Sequence, residues 1–214
     1  MRKLHRVVLS AATVLALTAV AVPATATPSV VLDQGHVDVV GIAWEDNAFN
    51  VHVHDEETDT EYSPAEVQLV AKPGSQIAVP DDAAYSFLGT PGSPAWVLPQ
   101  VQDADLLWPG IGAEEIGPGV FTNDSLKVVL VGVTGPADFS IFTTDAFGTP
   151  TRLADSGNGL PDTISTTAGG HLHANWAFEA AGTYKVKFKV CGTLAATGKT
   201  VSSAIATYTF TVQA

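Results

Sequence analysis

Strict alternation of side chains along the C-terminal part of the chain constrains its fold more than any other feature. Between residues 184 and 190, aromatic and valine residues alternate with three lysines, and between residues 207 and 212 they alternate with three threonines. A period of two is typical of a strand that buries one face and exposes the other. After the N-terminal region, no segment of about ten residues or more has the helical period. The pattern therefore predicts an all-β fold, most simply an immunoglobulin-like β-sandwich, and Gly182-Thr183-Tyr184 is compatible with the tyrosine corner of that fold.

The first 26 residues have the composition of an export signal. Three basic residues precede an apolar run over residues 7–22, and Ala24-Thr25-Ala26 supplies a cleavage site of small residues. The expected plan is a signal peptide over 1–26, followed by a single β-sandwich domain over 27–214. We therefore expect a secreted, extracytoplasmic protein with no transmembrane segment after cleavage.

Two segments near the start of this domain predict a hairpin. The first covers residues 30–44, and the alternation places His36, Asp38 and Val40 on one of its faces. The second covers residues 48–54 and follows a short turn.

Residues 74–125 differ in character, because six prolines and many glycines interrupt every long element. The same region carries Trp96, Leu98 and Trp108, which are too apolar to leave in water. We expect a loop-rich excursion over 74–125 that packs on the sandwich as a lid. A loop of this length is either functional or the sign of a missed element, and the sequence does not choose between the two.

The charge of the chain excludes some partners and favours others. The whole sequence has a net charge of −12, and without the signal peptide seven basic residues face 22 acidic ones, a net charge of −15. Nucleic acid and anionic membranes are therefore poor partners, whereas cations are favourable ones. Cys191 is the only cysteine, so no disulfide can form within the chain.

The histidines of the predicted domain are grouped in three short runs. One run is Gly-His-x-Asp and two are His-x-His. Side chains at positions i and i+2 of a strand share a face, so each run can direct two ligands at one ion while another strand supplies a third. Imidazole and carboxylate ligands suit Zn²⁺ best and tolerate Mn²⁺, Fe or Cu²⁺. We predict His36, His171 and His173 as the core ligands of a transition-metal site, with zinc as the expected ion, and Asp38, His52 and His54 as further ligands or as groups that hold the rings.

Two alternatives remain open for the run at His52 and His54. The pair could form a second metal site supplied by Asp55, Glu56 and Glu57, or each ring could simply be solvated on an exposed strand face. In the motif that contains His171 and His173, Asn175 is expected to share their face. Trp176 and Phe178, which follow it, are interpreted as core residues.

The patterns of several metalloproteins and hydrolases are incomplete in this chain. Residues 50–55 are similar to the copper-ligand strand of copper–zinc superoxide dismutases, but that family needs more histidines and a disulfide pair. A blue-copper site needs His, Cys and Met together, and the only Met is the initiator. The Gly-x-Ser-x-Gly element of serine hydrolases is missing. We therefore expect no catalysis; a metalloenzyme would need an open coordination position and a substrate cleft under 74–125.

Several motifs together resemble a known family of exported proteins. The most specific is His-x-His-x-Asn-Trp-x-Phe at residues 171–178, followed by Gly182-Thr183-Tyr184. The chain is similar over nearly all of residues 27–214 to the actinobacterial surface-anchored protein domain, also called the choice-of-anchor M domain. The supporting motifs are Gly35-His36-Val37-Asp38-Val39, Trp96-Val97-Leu98-Pro99-Gln100, Gly135-Pro136 and Phe147-Gly148-Thr149-Pro150.

The resemblance implies a binding role outside the cytoplasm. Members of that family occur often beside a metal-type ABC transporter, and a relay of substrate to the importer has been inferred for them. The implied partners are a metal ion and either the substrate-binding protein of a metal ABC transporter or another cell-envelope protein. Residues 208–214 carry no sortase motif, apolar tail or basic stop, so covalent attachment to the wall is not expected. The rival hypothesis is a cell-surface structural or interaction module whose histidines only form polar strand faces.

Overall fold

The computed structural model describes residues 28–214, and the predicted signal peptide at 1–26 lies outside them. This part of the chain contains seventeen β-strands and four short 3-10 helices, so the prediction of an all-β fold is confirmed. In the same residues, no helix has the length and apolar character needed to cross a bilayer. The strands are β1 (Val30–Leu32), β2 (Gly35–Glu45), β3 (Ala48–Asp55), β4 (Thr60–Tyr62), β5 (Val67–Ala71), β6 (Gln76–Ala78), β7 (Pro94–Leu98), β8 (Leu107–Gly112), β9 (Phe121–Thr134), β10 (Phe139–Thr144), β11 (Pro150–Asp155), β12 (Asp162–Thr167), β13 (His171–His173), β14 (Asn175–Phe178), β15 (Gly182–Leu194), β16 (Thr200–Ser202) and β17 (Ala206–Val212). The 3-10 helices are Pro64–Glu66, Pro73–Ser75, Ala83–Leu88 and Ser156–Asn158.

The strands form three sheets. The largest has the order β1-β5-β17-β15-β9-β12, with β16 paired to β15. A second sheet has the order β11-β10-β14-β7-β6, and a third has the order β13-β8-β2-β3-β4. The consecutive strands β13 and β14 belong to the third and second sheets respectively, so the chain passes from one sheet to the other at Ala174.

Aromatic side chains join the sheets in one core. Phe210 of the seven-stranded sheet lies with its ring centroid 5.1 Å from that of Phe178 and 5.8 Å from that of Trp176, both of the second sheet. Phe121 of the seven-stranded sheet stacks on Phe49 of the third sheet at 5.1 Å. Trp176 and Phe178 are fully buried, as the sequence predicts. Burial of such large apolar surfaces is the main favourable contribution to folding.

Tyr184 ties the start of β15 to the preceding turn. Its ring is fully buried, and its hydroxyl donates a hydrogen bond to the Ala180 carbonyl oxygen at 3.0 Å while accepting one from the Ala180 N–H at 3.2 Å. A hydroxyl that bonds the backbone a few residues upstream is the arrangement of a tyrosine corner. The finer assignment to an immunoglobulin-like topology stays a prediction.

The interpretation of residues 74–125 as a loop-rich excursion needs correction. The region supplies β7, which pairs with β14 and β6, and β8, which lies between β13 and β2. Both are interior strands of their sheets, not parts of a lid. The sequence did not predict β8 because this strand contains Pro109, and proline is rare in central strands.

The predicted hairpin forms, with two differences. The first segment is interrupted at residues 33–34, so β1 pairs with β5 and only β2 pairs with β3. In addition, Asp38 faces His54 whereas Gly41 faces His52, so β2 has one extra residue and a β-bulge. The bulge buries Val40, which the alternation had placed on the polar face, and moves Gly41 to that face instead.

We expect Tyr184→Phe to lower the free energy of unfolding by about 1–3 kcal/mol, because it leaves a backbone donor and acceptor of Ala180 without their partner. Urea unfolding of the variant against the wild type measures the loss. Tyr62→Phe is the matched control, since the half-buried Tyr62 hydroxyl has no hydrogen bond among the described residues, and its effect should stay within about 0.5 kcal/mol. Equal losses in the two variants would contradict the assigned role of Tyr184.

Candidate metal centre

One face of the third sheet carries all five histidines of the described chain. Backbone pairing sets them in neighbouring rows, because residues that face each other across strands project from the same side. The edge strand β13 and the hairpin β2–β3 are separated only by β8. The rows are His36 beside Trp108; Glu61, His54, Asp38, Gly110 and His173; and His52, Gly41, Gly112 and His171.

The structure brings His36, His171 and His173 together although 135 residues separate the first from the second. The ring centroid of His36 lies 5.1 Å from that of His171 and 4.7 Å from that of His173. One nitrogen from each of the three rings lies within 4.8 Å of the others. The geometry therefore allows all three imidazoles to face a common point.

Asp38 adds a buried carboxylate to these rings. Its Oδ1 lies 2.8 Å from His171 Nε2 and 3.5 Å from His36 Nε2, and those two nitrogens are 3.3 Å apart. Ligand atoms around a tetrahedral Zn²⁺ ion, each about 2.1 Å from the metal, are separated by about 3.4 Å. The three atoms therefore have nearly the spacing of one face of a tetrahedral site.

The Asp38 carboxylate is also incompletely bonded by the protein. The residue is only 2% exposed, and Oδ1 makes no hydrogen bond with suitable angles despite its short contact with His171. We interpret that contact as an attraction of opposite charges more than an aligned hydrogen bond. A buried carboxylate oxygen in this state has unused capacity to bind a cation.

Glycines provide the space that Asp38 occupies. A Cβ atom at Gly112 would lie 1.9 Å from Asp38 Oδ2, and one at Gly110 would lie 2.0 Å from Oδ1. At Gly41, a Cβ atom would lie 2.5 Å from Nε2 of His52. Gly110 and Gly112 therefore lie beneath the Asp38 carboxylate, and Gly41 lies beneath the His52 ring. We call these three residues the glycine floor, because a larger residue at any of them would displace the carboxylate or the ring.

His173 is oriented by two neighbours. Its Nδ1 donates a hydrogen bond to the Pro109 carbonyl oxygen at 3.0 Å, which leaves the Nε2 lone pair of the neutral ring free for a metal. Its ring stacks on Trp108 with centroids 3.7 Å apart and an angle of 8° between planes. Burial lowers the pKa of His173, and the hydrogen bond to Pro109 only partly opposes this effect. The ring is thus held neutral and in the tautomer that a ligand requires.

His171 lies between two carboxylates. Asp38 contacts its Nε2, and Glu114 Oε1 lies 3.0 Å from its Nδ1. The contact with Asp38 raises the pKa of His171 to about 9, with burial opposing the shift and Glu114 adding to it. In the metal-free protein a proton therefore occupies this ring at neutral pH, and a metal ion must replace it.

His52 and His54 form a separate cluster beside this one. His52 is 4% exposed, so its interpretation as a solvated strand residue is wrong. Its Nε2 lies 3.2 Å from Glu115 Oε1, whereas His54 Nδ1 lies 2.9 Å from Glu56 Oε1. The two imidazoles thus contact different carboxylates.

Of the three acidic residues predicted to supply a site at His52 and His54, only Glu56 contacts either ring. Asp55 accepts hydrogen bonds from the Glu57 N–H and the Thr58 hydroxyl, which makes it a turn residue. Glu57 accepts a hydrogen bond from the His36 N–H. The Asp55 carboxylate is therefore bonded within its own turn, and the Glu57 carboxylate is bonded to the backbone of β2.

Asn175 does not share the face of His171 and His173, because β13 ends before it and β14 starts with it. Its Oδ1 accepts a hydrogen bond from the Gln100 N–H at 2.9 Å, and its Nδ2 donates one to the Thr144 hydroxyl at 3.1 Å. Asn175 therefore connects the end of β10 to the segment that follows β7.

Sequence reasoning missed the glutamates of this face. Glu61, Glu114 and Glu115 contact imidazoles, and the last two follow β8 directly. The signal available in the sequence was the adjacent pair Glu114-Glu115 shortly after Gly-Ile-Gly. These residues could be placed near the histidines only once β8 was known to be a strand of the same sheet.

Comparisons with protein-family models, curated proteins and solved structures gave no significant match to the chain. The resemblance to the surface-anchored protein domain therefore stays a prediction, and so does metal binding.

We expect Gly112→Ala to lower the free energy of unfolding by roughly 1–3 kcal/mol, because its methyl group would overlap the Asp38 carboxylate. Urea unfolding in the presence of a chelator measures the change. Gly117→Ala is the control, since a Cβ atom there meets no atom within 4 Å. Indistinguishable stabilities for the two variants would contradict the role assigned to the glycine floor.

The raised pKa of His171 makes the stability of the metal-free protein depend on pH. The folded state favours the imidazolium, so this contribution is complete below the ordinary pKa of 6.5 and is lost as pH rises through about 9. We expect His171→Gln to destabilise the protein more at about pH 6 than at about pH 9.5, measured by urea unfolding with chelator present. A penalty that does not change with pH would contradict the pairing with Asp38.

Proposed function

We propose that this protein binds a transition-metal ion, zinc or manganese, through His36, His171, His173 and Asp38, and that it buffers or relays the ion near an ABC uptake system of the cell envelope. The observation that carries the proposal is a group of three imidazoles, two of which contact a buried carboxylate oxygen that has no aligned hydrogen bond. The role is binding without turnover.

The donor set fits such an ion. Three imidazole nitrogens and one carboxylate oxygen suit Zn²⁺ and are accepted by Mn²⁺. Partners outside the ligand set hold two of the rings, since Pro109 accepts from His173 and Glu114 contacts His171. Such outer contacts fix the tautomer and the direction of a ligand.

Binding and release are favoured over catalysis by the number and exposure of the ligands. Four protein ligands complete a tetrahedral shell, whereas catalytic zinc sites keep one position open. The side chains of His36 and His171 are 20% and 22% exposed, so an ion can reach the site from solvent. This combination suits a carrier of exchangeable metal.

Support for the cell-envelope setting comes from the sequence. The predicted export signal at 1–26 and the similarity of the His-x-His-x-Asn-Trp-x-Phe motif to a family found beside metal transporters both favour it. The excess of acidic residues favours cations as partners as well.

The rival function, a cell-surface module without metal, is supported by the pairing of His171 with Asp38 and Glu114, which also occurs in proteins that bind no metal. In that case the cluster is an ion pair, and the metal-free protein is the functional form. Metal titration separates the two proposals.

We expect the protein stripped with a chelator to bind Zn²⁺ at the three-histidine centre, and the double variant His171→Ala, His173→Ala to lose that binding. Removing a ligand group from a metal site typically costs far more than the 10–100-fold loss caused by a change in its outer contacts. Isothermal titration calorimetry and metal analysis measure the effect. His54→Gln is the control, because the ring nitrogens of His54 contact Glu56 and Asp59. Equal metal content in the double variant and the wild type would reject the centre.

The affinity should also fall as pH decreases through about 9, because below that pH the metal ion must displace the proton held by the His171 ring. Titrations with Zn²⁺ across this range measure the decrease. A constant affinity over the same range would contradict imidazole ligation.

A further inference from the structure

We propose a second divalent-cation site on the same sheet face, formed by His52, Glu61 and Glu115. It shares no ligand with the three-histidine centre, so it does not depend on the function proposed above. Its residues come from β3, from β4 and from the segment that follows β8.

The primary observation is the state of the His52 imidazole. The side chain is only 5% exposed, both ring nitrogens are inaccessible to solvent, and neither makes a hydrogen bond with suitable geometry. Buried polar groups without partners are costly and uncommon in native proteins. An imidazole buried in this way requires a partner, and a cation is one that its nitrogen lone pair can bind.

Carboxylates lie close to both nitrogens of this ring. Glu115 Oε1 is 3.2 Å from His52 Nε2, and Glu61 Oε2 is 3.8 Å from Nδ1. One ligand atom from each of the three residues lies within 4.8 Å of the other two. Ligand atoms each about 2.1 Å from one ion are separated by about 3.4 Å at tetrahedral angles, so movements of the two glutamates would bring one oxygen of each to a single nitrogen of His52 around one ion.

Two of the three residues, His52 and Glu115, line a cavity with room for an ion. This cavity has a volume of about 170 Å³, and it is also lined by Asp38, Gly41, His54, Glu56, Gly112 and Glu114. The missing side chain of Gly41 leaves room for the His52 ring at this cavity, because a Cβ atom there would lie 2.5 Å from His52 Nε2. Every side chain that lines the cavity is an imidazole or a carboxylate, so its field favours a cation.

The donor set distinguishes this site from the first one. One imidazole with two carboxylates is richer in oxygen than three imidazoles with one carboxylate, and oxygen ligands suit Mn²⁺ while still accepting Zn²⁺. The side chains of Glu61 and Glu115 are 49% and 41% exposed, so they can adjust around an arriving ion. A site with partly exposed ligands exchanges its ion readily with solvent.

Asp38 separates the two sites. Its Oδ1 contacts His171 of the three-histidine centre, and the same residue lines the cavity of the second site. The sheet face would therefore hold two cations on either side of one buried carboxylate. Such an arrangement gives a buffering protein a capacity of two ions on a single small sheet.

The experiment counts bound ions in the chelator-stripped protein with MnCl₂ and, separately, ZnCl₂ as probes. The test variant is Glu61→Gln, Glu115→Gln, which keeps side-chain size and changes two half-exposed positions, so it is expected to fold. The control variant is Glu66→Gln, Asp81→Asn, which removes the same two charges at exposed positions away from the histidines. Circular dichroism melts verify that both variants are folded.

We expect the test variant to bind one ion fewer than the wild type and the control variant, by equilibrium dialysis with metal analysis. An equal number of ions in the test variant and the control would overturn the second site. The variant His171→Ala, His173→Ala reports separately on the first centre. It should retain the ion that the glutamate variant loses, so failure of one site is distinguishable from failure of the other.

Discussion

The candidate site depends on one constraint, the pairing of β8 with β2 on one side and with β13 on the other. Backbone hydrogen bonds between these strands fix which residues stand opposite one another. They set His171 and His173 two strands away from Asp38, a distance that long side chains cross easily. Without β8 the edge strand would have no register relative to the hairpin, and the imidazoles from the two parts of the chain would not meet.

The main contribution of the central strand β8 to the site is the absence of side chains at two of its positions. Gly110 and Gly112 have no side chains, so a carboxylate from β2 can lie flat over β8 and remain buried among rings. Burial of a charged group in such a place costs free energy unless it is paired. The imidazolium of His171 offsets that cost in the metal-free protein, and a metal ion would do so when bound. The same glycines therefore determine where the buried carboxylate can lie.

The sequence was sufficient for the fold class and for part of the site. Strand alternation predicted the long hairpin and the buried Trp176, and the spacing of the histidines predicted which rings share a face. The remainder depended on contacts that local patterns do not contain. Pro109 argued against a central strand at β8. The bulge in β2 placed Gly41, and not Val40, on the polar face. The glutamates after β8 lie near the histidines only because β8 pairs with β2, which is distant in sequence.

The position of β13 has a further consequence for how the site comes apart. β13 is a three-residue strand at the edge of its sheet, whereas Trp176, three residues beyond its end, is buried in the aromatic core. Short edge segments open locally at a lower free energy than that of global unfolding. Detachment of β13 would withdraw two imidazoles at once while the aromatic core stays intact. If the site binds a metal ion as proposed, local opening of β13 would release the ion without global unfolding.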